Sequence, residues 1–323
     1  MRPGLVTHAA RLPETRSMTL TYLGNSPYCA ANSLSILFGD EGPGPAVLEI
    51  AGGSPFGLAI HGDDIIYFSS PAWRPEFGIN NAMELAGWEC DRIHGSPTDA
   101  VAVLRQATWD KPVLAGPVEM GLLPYVPGLG QAVGADHNIV VIGVEGDTVR
   151  AHDVIGWPFV TVGVDALLKT WEGNTFAYEA DAYAVRFNFR RVREVDRETV
   201  LRAAMHTAVD LLSAPGIPEA AERAAQLVEG DLKSMQYKYL VEFQVQAGAR
   251  RLADAAMLYR RLGSHGPAEI LERQALLVGS LQLDLMTQEY GRAAATFRAL
   301  GPTYAELRQA FVEAIDDQPG PAT

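Results

Sequence analysis

The chain has little cysteine and little positive charge. Cys29 and Cys90 are its two cysteines, too few for the disulfide framework of a small secreted domain, so both are expected as free thiols. Lys and Arg number 26 against 39 Asp and Glu, a formal net charge of −13. With no basic cluster to offset that balance, nucleic acid is not an expected partner, whereas an amine substrate stays compatible with it. No uncharged apolar run reaches the roughly eighteen residues of a membrane span. The opening MRPGLVTHAARLPETRS has no apolar core behind its basic residues. These absences lead to the expectation of a cytoplasmic protein with no membrane attachment, where a reduced thiol survives. Also missing are a nucleotide-binding glycine pattern, zinc-type Cys and His spacing and HExxH, while GPGP from Gly42 reads as turn punctuation. Neither a metal nor a cofactor is expected.

With 48% hydrophobic and 20% charged residues in 323, the chain can bury a full core and has the length of two domains. Residues 1–17 read as a flexible N-terminal arm, 18–194 as a mixed domain, 195–316 as a helical domain and 317–323 as a tail. The segment RRVREVDRET marks the boundary, with Asp196 placed to cap a helix from Arg197. SPYCAANSLSILFGD reads as a loop entering a helix that Gly39 ends, and further helices are expected over Asn80 to Trp88 and over Asp99 to Thr108, the latter capped by Ser96 or Thr98. Five runs have strand length and β-branched enrichment: PVLAGPV from Pro112, NIVVIGV from Asn138, TVRAHDV from Thr148, PFVTV from Pro158 and AYAVRFNF from Ala182. A short helix, VDALLKTW, interrupts them. The fold class is therefore α+β, helices early and an antiparallel sheet late, followed by an antiparallel helical bundle broken by PGIP near Pro215 and GSHGP near Gly263.

A thiol is a useful nucleophile as thiolate, and the unpaired N–H groups of a helix N-terminus favour negative charge there. Cys29 has that position; Cys90, within WECDRI, reads as a buried inert thiol. In ADHNIVVIGVEGDTVRAHDV a histidine opens one strand and an aspartate closes the next. If Glu145 to Asp147 form a three-residue turn, Val144 faces Thr148, His137 faces Ile155, and Asp153 is the diagonal neighbour of His137 on the same face. His137 then takes the proton of Cys29 while Asp153 holds the imidazole in one tautomer. A two-residue turn would place the two on opposite faces. His152 points the other way and is the weaker base. Asp136 is surface or substrate-facing, Glu119 in PVEMG is either a substrate contact to an amine or an exposed rim carboxylate, and Tyr125 and Trp157 are candidates to line the pocket.

A cysteine opening a helix, with His and Asp on a later hairpin, is similar to the papain-like superfamily and in particular to the bacteriocin-processing transporter peptidases. More specifically, NSPYCAANSL, PVEMGLLPY, GADHNIVVIGV and VRAHDVIGWPFV, followed by a helical tail, resemble the butirosin biosynthesis protein H-like family over about residues 22 to 300. That resemblance implies a papain-like catalytic fold and an acyltransferase that moves an acyl or aminoacyl group from a carrier-protein or other thioester to an amine of a natural-product intermediate. It implies that Cys29 accepts the acyl group, that His137 serves as base and acid, and that Asp153 orients it. The related peptidases carry a Gln about six residues before the cysteine as oxyanion donor. Here that position is Leu23, and Asn25 is the nearest amide able to join the backbone N–H of Cys29. The competing expectations are hydrolysis of the same acyl-enzyme by a peptidase or amidase, and a catalytically silent binding protein of the same fold.

Overall fold

In the computed structural model, residues 27–62, 64–128 and 130–317 are described; Asn25 and the expected arm of residues 1–17 lie outside them. The first helix, α1 (Cys29–Phe38), starts at the cysteine and stops at Gly39, whose φ of 56° is where a residue without Cβ is favoured. Next come α2 (Pro45–Ala51), a two-stranded ribbon of β1 (Ala59–His61) and β2 (Ile65–Tyr67), and α3 (Pro75–Leu85). The third helix differs from the expected Asn80 to Trp88: Pro75, pre-set for a first helical turn, moves its start forward, and Gly87 at φ 77° turns the chain before Trp88. WECDRI is strand β3 (Trp88–Ile93). Its apolar residues do not alternate strictly, so its pairing partner rather than its own pattern makes it a strand.

The sheet otherwise uses the five expected runs. After α4 (Pro97–Leu104), capped by Ser96 through the N–H of Asp99 at 3.2 Å, come β4 (Val113–Glu119), β5 (Asp136–Glu145), β6 (Thr148–Asp153), β7 (Trp157–Gly163), the short α5 (Val164–Lys169) and β8 (Val185–Arg191). The six strands of this sheet are antiparallel in the order β3-β8-β4-β5-β6-β7. One face, with Ala115, Ile139, Val141, Val149 and Ala151, packs on α4 and α5. The other, with Leu114, Val140, Ile142 and Val154, packs on α1 to α3.

Between Arg197 and Asp316 the chain is helical. Asp196 caps α6 (Arg197–Leu212), accepting from the Thr199 N–H at 2.7 Å. Gly216 and Gly263, at φ 95° and 85°, separate α6 from α7 (Ile217–Gln226) and α9 (Val245–Arg261) from α10 (His265–Met286). Between α7 and α9 lies α8 (Ser234–Tyr239), and α11 (Tyr290–Asp316) closes the bundle. A π-helical turn over Leu240–Gln244 joins α8 to α9. The core of this bundle, including Val200, Leu252, Tyr259, Phe297 and Phe311, is continuous with that of α1 to α3. The C-terminal helices therefore pack on α2, the neighbour of the helix that starts at Cys29.

Candidate functional site

Cys29 is the first residue of α1 and is half-buried. Its neighbour Tyr28 is fixed from the other end of the chain: the Tyr28 hydroxyl donates to Asp254 Oδ2 at 2.8 Å, and the Arg250 guanidinium lies 5.3 Å from its ring centre. Both partners belong to α9. The N-terminus of α1, and with it the thiol, is thus anchored by the helical bundle as well as by the sheet.

The turn between β5 and β6 differs from the expectation. Glu145 pairs with Thr148, which leaves a two-residue connection of Gly146 and Asp147. That turn alone would put His137 and Asp153 on opposite faces, since a one-residue slip flips every side chain. A bulge undoes the slip. Gly143 pairs with Arg150 and Val141 with Ala151, so Ile142 is an extra residue, and beyond it Ile139 pairs with Asp153. Asp153 is then diagonal to His137, and His137 Nε2 meets Asp153 Oδ1 at 2.9 Å, with both side chains buried.

Asp153 is held on three sides. Oδ1 also accepts from the Ile155 N–H at 3.0 Å, and Oδ2 accepts from the Tyr125 hydroxyl at 2.9 Å. Burial works against its charge, but the His137 ring and these donors hold its carboxyl below the usual carboxylate range. For His137 burial again opposes charge. The Asp153 carboxylate and the Cys29 side chain, which hydrogen-bonds to the ring, outweigh it and push the imidazole up to about 10. With Nε2 engaged by Asp153, Nδ1 is the nitrogen left for the sulfur.

The structure corrects several single-residue expectations. Glu119 is no rim carboxylate: it is buried, its Oε1 accepts from the N–H groups of Gly121 and Val133 at 3.0 and 3.1 Å, and its Oε2 accepts from Gly134 at 3.0 Å. A carboxylate committed to three amides of the 120–134 segment fixes that loop and has little to offer an amine. Tyr125 is engaged by protein groups: its hydroxyl holds Asp153 while its ring meets Trp157 edge-on at 5.9 Å. Asp136 is half-buried, and burial raises its carboxyl above the usual range. Cys90 is half-buried with its thiol pushed up by burial. Asn25 lies outside the described residues, so its placement as an oxyanion donor is not seen.

Asn138 was not anticipated. Its Nδ2 lies 3.9 Å from Cys29 Sγ, its side chain is buried, and its Oδ1 has no hydrogen-bond partner among the described residues. A Cβ at Gly116, where φ is 154°, would come within 2.4 Å of that Oδ1, so only glycine lets β4 pass this close. The available sequence signal was a lone amide opening the apolar run NIVVIGV. Among the described residues no group of three or more His, Cys, Asp or Glu side chains is arranged to hold a metal ion. No described helix is long and apolar enough to cross a membrane.

These observations define an α+β chain with a C-terminal helical region, in which a helix-opening cysteine meets a buried histidine–carboxylate pair. The chain is 26% identical over 259 residues to the uncharacterized protein YobF of Bacillus subtilis (strain 168), a match that covers 76% of this chain and 83% of that protein. The YobF C-terminal domain family matches residues 213–312. That stretch includes α9, whose Arg250 and Asp254 hold Tyr28 beside the cysteine.

Proposed function

We propose that this protein is a papain-like cysteine acyltransferase that moves an acyl or aminoacyl group from a carrier-protein or other thioester to an amine. The observation that carries the reading is the buried His137–Asp153 pair at 2.9 Å with the Cys29 side chain on the same imidazole. A helix-borne cysteine facing a sheet-borne His and Asp is the papain-like arrangement, and the resemblance of the flanking motifs favours transfer over hydrolysis.

In the first half-reaction the Cys29 sulfur, its proton held by His137, attacks the thioester carbonyl carbon and a C–S bond forms. Negative charge develops on the carbonyl oxygen, where the Cys29 N–H and Asn138 Nδ2 receive it. The oxyanion collapses, the donor C–S bond breaks, and the departing thiolate takes the proton from His137. In the second half the amine attacks the acyl-Cys29 carbonyl, gives its proton to His137, and releases the Cys29 sulfur as the C–N bond closes. Asp153, fixed by Tyr125 and the Ile155 N–H, keeps the ring in one orientation through both halves.

Intact-mass analysis after incubation with acyl thioesters, with and without a panel of amines, tests the reading. A mass increase on Cys29 that amines discharge as amides is expected. Free acid as the only product would make the protein a hydrolase, and no adduct with any activated donor would favour the silent binding protein.

A further inference from the structure

The first turn of α1 lacks the local devices that commonly fix a helix start. Tyr28 stands at its N-cap and makes no side-chain cap hydrogen bond, and the first turn carries no acidic residue. The place of the thiol therefore depends on what holds Tyr28, whose side chain is buried. Its hydroxyl donates to Asp254 Oδ2 at 2.8 Å, across 226 residues of chain. Arg250, one turn before Asp254 on α9, brings Nε to 3.4 Å from the same oxygen and its guanidinium to 5.3 Å from the Tyr28 ring centre. Carboxylate, cation and ring lock one another.

A second contact keeps α9 from sliding along this face. Arg251 Nε meets Glu49 Oε1 at 2.6 Å, with both side chains largely withdrawn from solvent. Glu49 lies on α2, which packs on α1. Gly248 lets the same stretch of α9 come close, since a Cβ there would meet the Phe68 ring at 2.7 Å. Elsewhere α1 packs on β5, the strand of His137 and Asn138, and Asn138 Nδ2 is 3.9 Å from Cys29 Sγ. The thiol thus stands between a sheet that carries its polar neighbours and a bundle helix that grips the residue before it.

We infer that Asp254 is a positioning residue for Cys29: by holding the Tyr28 hydroxyl it fixes the head of α1, and with it the sulfur, against His137 and Asn138. The C-terminal helical region is then a working part of the site. This role deepens the acyl-transfer reading and rests on it for the reaction whose rate it sets. Misplacing a nucleophile by about 1 Å costs on the order of 10²-fold in rate and leaves ground-state binding as it was.

Single-turnover acylation of Cys29 over a range of thioester concentrations separates the maximal rate from the half-saturating concentration. Tyr28→Phe, which keeps the ring and removes the donor, should lower the maximal rate about 10²-fold and move half-saturation less than about twofold. Asp254→Ala should match it, whereas Asp254→Asn, which keeps an acceptor oxygen, should return to within about threefold of wild type. The double variant Tyr28→Phe/Asp254→Ala should be no slower than either single one. A maximal rate in Tyr28→Phe within about threefold of wild type would overturn the role. So would an Asp254→Asn rate as low as that of Asp254→Ala in proteins with equal urea midpoints. Alkylation of Cys29 by iodoacetamide reads the same contact without a thioester, and Tyr28→Phe should slow it about fivefold. If no thioester acylates the wild-type protein but alkylation follows the Tyr28→Phe and Asp254→Asn pattern, the transfer reading falls and the positioning role stands. Equal acylation of the wild type and all variants would do the reverse.

Discussion

His137 and His152 stand on neighbouring strands of one hairpin, on opposite faces of the sheet, and each is buried to within 2% of full exclusion from solvent. Their titration is opposite. His137 meets a carboxylate that is itself fixed by Tyr125 and a backbone N–H, and is pushed up to about 10. His152 lies edge-on to Phe159 and Trp109 at 4.6 and 6.1 Å, takes the Phe159 N–H on Nδ1 at 3.2 Å, and burial drives it down to about 4. Equal burial gives a cation in one place and a neutral ring in the other. What decides the charge is the company the ring keeps, and that in turn depends on which face of the strand it occupies.

The largest effect should come from the reactive side. His137→Ala is expected to slow acylation of Cys29 by a thioester about 10³-fold in rapid-quench mass measurements, while His152→Phe changes it less than about threefold. A comparable loss in both variants would erase the contrast. Asn138→Ala sharpens it further: acylation should fall about 10²-fold, because an oxyanion donor is lost. Alkylation by iodoacetamide, which passes through no oxyanion, should move less than about twofold. Parallel losses in the two reactions would mean that Asn138 only positions the sulfur.

Stability should separate the two faces as well. Asp153→Ala leaves a buried imidazole without its counter-charge and is expected to cost about 3–5 kcal/mol in urea unfolding. The pH profile then tells the histidines apart. A group whose pKa rises on folding stabilises below its unfolded value of 6.5 and loses that contribution as pH climbs toward 10, so Asp153→Ala should flatten the alkaline limb. His152, neutral in the fold but protonated in the unfolded chain between pH 6.5 and about 4, removes stability as pH falls through that window. His152→Phe should flatten the acid limb by at most about 3 kcal/mol. The smallest effect belongs to Tyr125→Phe, one hydrogen bond to Asp153 and about 1 kcal/mol. A larger loss there, with the alkaline limb changed as in Asp153→Ala, would show that the hydroxyl sets the position of the carboxylate.

The sequence alone determined the elements that periodicity and punctuation control. Cys29 opens α1 because the apolar face behind it and Gly39 after it define one short helix, and β4 to β8 carry enough β-branched residues to be read as strands. It also determined the pairing of a cysteine with a histidine and an aspartate of one hairpin. Only the tertiary structure decided their geometry. The two-residue turn would have separated His137 from Asp153, and the bulge at Ile142 rejoined them. Both are single-residue choices made by packing on two sheet faces, which residue spacing does not encode. The contacts of Tyr125 with Asp153, Asn138 with Cys29, and Asp254 with Tyr28 span 28, 109 and 226 residues. Such contacts exist only once the sheet and the C-terminal helices have closed around α1, so no local pattern could announce them.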